Sequence, residues 1–117
     1  MDFREHEMYP AAKAALRRRY PANEGWEVLE RPRREGYEPD FMVERQTPRG
    51  KERIVVEVKA TCIITKGHIK QLNSYAKKLA GGGVRGVKKI LVVPAGADAS
   101  AVADDTEVIY LRSFGCE

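Results

Sequence analysis

Five apolar runs punctuate the chain, and their spacing predicts its elements. The densest is Ile54-Val55-Val56-Glu57-Val58-Lys59, rich in β-branched residues and the clearest strand. Trp26 to Leu29 alternates and predicts a first strand, and Asp40-Phe41-Met42-Val43-Glu44 starts a second. Gln46 to Lys51, with Pro48 and Gly50, reads as a turn that closes the second and third runs into a hairpin. Val87 to Val93 predicts a strand stopped by Pro94, and Val108 to Leu111 a last one.

Helical spacing appears in two places. Residues 2 to about 19 hold Ala11, Ala12, Ala14, Ala15 and Leu16, all strong formers. Pro10 sits in the first turn of that helix or kinks it, and Pro21 closes it. From Gly67 to Ala80, the residues Ile69, Leu72, Ala76 and Leu79 recur at steps of three and four, one buried stripe ended by the triplet Gly81 to Gly83. Asp98 to Asp104 is expected to form a short helix. The order is therefore α-β-β-β-α-β-(α)-β in one domain spanning 1–117. The fold class is α/β, with a central mixed sheet of four to five strands flanked by helices. The hairpin requires antiparallel pairing and the later crossovers imply parallel neighbours.

Composition changes this picture only at its edges. With 43% hydrophobic residues the chain can bury one core, and 32% charged residues is ordinary for a soluble protein, so a disordered chain is excluded. No apolar run approaches the roughly 20 residues that span a bilayer, and Met1 to Glu7 lacks the apolar core of a signal peptide. The expectation is a cytoplasmic protein with no membrane partner. The net charge of +4 suits a polyanion without demanding one. Cys62 and Cys116 are too few for a metal cluster and are expected as two isolated thiols. A disulfide between them is reserved for a hyperthermophilic source; scarce Asn and Gln beside abundant Arg, Lys and Glu lean towards a thermophilic one.

The chemistry lies in the best strand. Glu57 and Lys59 are two apart and share a face, whereas Ile54, Val56 and Val58 point to the other and supply core. A carboxylate and an amine on the face of so apolar a strand need a reason. If the hairpin turn centres near Arg49, paired positions sum to about 98, which sets Asp40 opposite Val58, between Glu57 and Lys59. Two carboxylates held this close are hard to keep ionised together without a cation, and Mg²⁺ prefers such oxygens. A metal-bound water with a lysine beside it supplies the parts of phosphodiester hydrolysis.

Pro39-Asp40, sixteen residues, then Glu57-Val58-Lys59 resembles the signature of the PD-(D/E)XK nuclease superfamily, and the element order is similar to that family's common core. The resemblance implies a restriction-endonuclease-like fold and hydrolysis of phosphodiester bonds, most of all in DNA, leaving a 5′-phosphate. Asp40 and Glu57 would hold Mg²⁺ or Mn²⁺ together with the carbonyl of Val58, and Lys59 would act on the attacking water. Gln71 and Tyr75, four apart on the second helix, resemble the Gln-x-x-x-Tyr motif of RecB-like members and would lie near the nucleic acid. A first-helix glutamate would complete the metal site; Glu5-His6-Glu7-Met8-Tyr9-Pro10 resembles the opening of small members and favours Glu5 over Glu7. Members with an iron–sulfur cluster carry four cysteines, so no cluster is expected here. Two alternatives stay open: a binding module on the same fold that holds nucleic acid or a partner protein without turnover, and a Holliday-junction resolvase, which requires a homodimer because two strands are cut.

Overall fold

The structure, a computed structural model, describes residues 5–33, 38–81 and 83–116. The start of the first helix at residues 2–4, Arg34 and Gly82 of the glycine triplet lie outside the described residues. The fold is α/β, a five-stranded mixed sheet with two helices. β1 (Glu27–Glu30), β2 (Phe41–Thr47) and β3 (Gly50–Val58) pair antiparallel; β4 (Val84–Ala95) and β5 (Thr106–Gly115) follow parallel, so the strands lie side by side in chain order.

The chain enters through a 3₁₀ turn at Glu5–Met8 that continues into α1 (Tyr9–Arg19). Pro10 falls in the first turn of α1, where its missing N–H leaves no bond unmade. α2 (Lys66–Lys78) starts at a reciprocal cap: the Thr65 hydroxyl accepts from the His68 N–H at 3.3 Å, and His68 Nδ1 accepts from the Thr65 N–H at 3.1 Å.

Both faces of the sheet are buried, which is why the central strand reads as a continuous apolar run. Ile54, Val56 and Val58 join Phe41, Ile90 and Val92 under Met8, Ala12 and Leu16 of the N-terminal helical segment. Val55 joins Met42, Leu91 and Val93 under Leu72 of α2 and Leu79 just beyond it. Leu16 and Leu72 are fully buried, and truncation of either to alanine is expected to cost about 2–5 kcal/mol. At the far end of β3, Arg53 donates to buried Glu44 at 2.5 Å and to the carbonyl of Leu79 at 2.6 Å, closing the C-terminus of α2 where the helix leaves carbonyls unpaired.

Three expectations are corrected. The segment Asp98–Asp104 forms turns, not a helix. Asp98 spends its backbone on the neighbouring loop, donating to the Cys62 carbonyl at 2.7 Å and accepting from the Ile64 N–H at 2.9 Å, while its carboxylate accepts from the Ser100 N–H. That local bonding competes with a helical start. Pro94 does not stop β4; it stands where the β4–β5 register shifts, a place where a strand tolerates a missing donor. Cys62 and Cys116 are not isolated thiols but a disulfide, with Cα atoms 5.7 Å apart. It ties the loop after β3 to the end of β5.

Candidate active site

The hairpin turns on Pro48 and Arg49, with Thr47 paired to Gly50, so its positions sum to 97. Asp40, at the head of β2, therefore lies level with Glu57, one residue from the expected register. The consequence is closer contact. The Asp40 N–H donates to Glu57 Oε2 at 3.3 Å, and Asp40 Oδ2 accepts from the Val58 N–H at 2.7 Å. Pro39 is buried just before Asp40; its ring restrains the backbone that presents the carboxylate. The Asp40 carbonyl accepts from the Arg31 N–H at 2.9 Å, which ties this corner to the end of β1.

Lys59 follows the last residue of β3, yet its N–H still donates to Val92 of β4 at 2.9 Å. Its side chain is thus launched from the edge of a rigid ladder. Nζ donates to Gln71 Oε1 of α2 at 3.1 Å and lies 4.0 Å from the carboxylate of Glu5. Glu5, Asp40, Glu57, Lys59 and Gln71 thus converge from four separate elements. Glu7 is exposed on the 3₁₀ turn, and Glu5 is the glutamate that faces Lys59. Tyr75, one turn beyond Gln71, packs half-buried against the α2-side core.

Burial sets the electrostatics. Glu57 is 4% exposed. Its pKa is pushed up to about 9, first by burial, then by the hydrogen bond and charge of Asp40, against a smaller pull from Lys59. Without a cation, Glu57 holds a proton at neutral pH against the Asp40 carboxylate. Burial also raises Glu5, opposed by Lys59 and reinforced by Asp40.

Two residues of the site escaped sequence reasoning. Tyr9, on the first turn of α1, donates its hydroxyl to Asp40 Oδ1. Its phenol is raised above the ordinary range, first by burial and then by that bond. The only signal was its place in the Tyr-Pro pair after Glu5. Arg31 lays its guanidinium over the Tyr9 ring, 5.1 Å from the centroid, and nothing in the sequence distinguished it from other arginines of its loop. Tyr9 and Arg31 line an open cleft of about 500 Å³ with Glu5, His6, Glu38 and Asp40. His68, which caps α2, is lowered by burial and by the charge of Lys59.

Among the described residues, no three His, Cys, Asp or Glu side chains converge tightly enough to hold a metal ion by themselves. The donor set that does meet is two carboxyl groups in contact and one strand-end backbone. Oxygen donors of this kind suit a hard divalent cation, and the carboxyl of Glu57 buried beside Asp40 marks where positive charge is wanted. No known protein family, curated protein or solved structure matches the chain. Among the described residues, no helix is long and apolar enough to cross a membrane.

Proposed function

We propose that the protein is a divalent-metal-dependent nuclease of PD-(D/E)XK type, hydrolysing phosphodiester bonds in DNA. The observation that carries this reading is the contact of Asp40 with buried Glu57, with Lys59 anchored beside them on Gln71. Asp40, Glu57 and the Val58 carbonyl would hold Mg²⁺ or Mn²⁺, with Glu5 at the margin. The bound ion would supply Lewis-acid activation of the phosphate and a water of lowered pKa.

The chain's own groups do the rest. The Tyr9 hydroxyl and the Val58 N–H each hold one Asp40 oxygen, which locks its rotamer and leaves further lone pairs free. Glu57 must give up its proton for the two carboxylates to act together. Gln71 occupies one of the three donors of the Lys59 ammonium; the others are free to orient a water or to neutralise charge on phosphorus. Arg31 stands in the cleft, where a guanidinium suits a phosphate oxygen. Gln71 and Tyr75 would meet the nucleic acid along α2.

Calorimetric titration with Mg²⁺ separates this reading from a binding module on the same fold. Saturable binding that disappears in Asp40→Ala supports the nuclease. Heat that is unchanged by the substitution, or absent from the wild type, favours the module.

A further inference from the structure

At the opposite end of β3 from Glu57 the sheet carries a second concave site. Lys51 pairs with Val84 and Arg53 with Val87, so Arg85 and Gly86 together oppose Glu52 as a bulge in β4. Bulges re-aim side chains and cluster beside functional sites. Gly86 has φ +143°, yet a Cβ there would meet nothing within 4 Å. The backbone turn, not crowding, calls for glycine. The stem of Arg85 rests over Gly50, whose added Cβ would lie 3.2 Å from Arg85 Cγ.

Below the bulge lies a pocket of about 310 Å³ bounded by Trp26, Arg53, Ile54, Arg85, Val87 and Lys88. Its walls differ in what they can still bind. Arg53 is neutralised by Glu44, and Glu52, also at the pocket, by Arg45 at 2.8 Å. Arg85 and Lys88 are exposed and have no ion pair or side-chain hydrogen bond among the described residues. Trp26 is clamped: Arg45 covers the ring at 4.3 Å and Tyr20 meets it edge-on at 5.0 Å. A fixed indole, an apolar floor and two free cations at the rim match a flat aromatic body carrying negative charge.

We propose that this pocket binds one nucleotide of a single-stranded nucleic acid, its base against the part of Trp26 that Arg45 leaves uncovered and its flanking phosphates on Arg85 and Lys88. Glu57 lies four positions beyond Arg53 on β3, about 13 Å along the strand. The pocket is thus a separate site, and its binding needs neither the carboxyl pair nor a metal. A base held in a duplex cannot reach the indole, so the site selects unpaired strand. A peptide of Asp and Glu alone could match the cations but has no flat group for Trp26.

Trp26 is the single tryptophan of the chain, so its fluorescence reports the site directly. A short oligothymidylate titrated into the protein with chelator present is expected to quench that emission saturably. Arg85→Gln with Lys88→Gln should weaken binding at least tenfold and lower the slope of log affinity against log salt by about 1.4, two phosphate contacts on a single strand. Lys59→Ala should leave the quenching unchanged, so failure here and failure of the nuclease reading are distinguishable. Should the double variant melt early, Lys88→Gln alone carries the test with half the change in slope. The proposal is overturned by absent quenching, by quenching that ignores these substitutions, or by equal quenching from the annealed duplex. Equal quenching by polyglutamate overturns it too and assigns the pocket to an acidic peptide.

Discussion

Replacing Glu57 by glutamine removes the titration of the carboxyl pair while keeping its shape. The amide can still accept from the Asp40 N–H, and its NH₂ can donate to the Asp40 carboxylate as the protonated glutamate does. In the metal-free protein the folded-state pKa of Glu57 is raised from 4.5 to about 9. A raised pKa means that the stabilisation is fully present below the unfolded value and is lost as pH rises towards the folded one. The wild type should therefore weaken steadily between about pH 5 and pH 9. At 1.36 kcal/mol per unit, the penalty near pH 8 has an upper bound of about 5 kcal/mol. Relaxation of Lys59 and entry of water reduce it to about 2 kcal/mol. Glutamine does not ionise, so Glu57→Gln should be the more stable protein at pH 8 without metal, by about 8 °C in Tm for a domain of this size. Saturating Mg²⁺ should invert the order, because the wild type gains about 2.7 kcal/mol at one hundred times Kd and the variant gains little. Thermal melts followed by circular dichroism, across pH and with and without Mg²⁺, read both effects. A variant less stable than wild type in chelator, or a wild type indifferent to Mg²⁺, refutes the reasoning.

Three further outcomes follow from other contacts. Lys59→Ala should lower cleavage by about 10²–10³-fold yet keep the rise in Tm with Mg²⁺, a pairing read by activity and melting on one sample. Cys62→Ser should lower stability by about 2–4 kcal/mol in denaturant melts under oxidising conditions, with reductant lowering the wild type to the same level. Arg53→Ala leaves buried Glu44 with Lys51 alone, 3.9 Å away, and strips the cap from the Leu79 carbonyl, so a loss of about 2–3 kcal/mol is expected.

Much of the fold was legible because its signals are local. β-branched density marked β3, three-and-four spacing marked α2, and the Pro-Gly turn marked the hairpin. The carboxyl pair followed from hairpin arithmetic, and the one-residue error did not matter because Asp40 reaches Glu57 and Val58 alike. What escaped depends on contacts far apart in the chain. Tyr9 meets Asp40 across 31 residues and the two cysteines meet across 54, separations that no local pattern encodes. The expected helix at Asp98 failed for the same reason: its backbone is bonded to the loop around Cys62. Pro94 misled because a strand end was read from residue type, while the register shift beside it was set by β5.

Cleavage itself is the most direct test of the nuclease assignment. Wild type and Asp40→Ala, incubated with end-labelled single-stranded, duplex and branched DNA in Mg²⁺ or Mn²⁺, should differ in one way. Wild type should cut at least one form and leave 5′-phosphate ends, and Asp40→Ala should cut none. Wild-type protein that cuts no form with either metal, or Asp40→Ala that cuts as wild type does, contradicts the assignment.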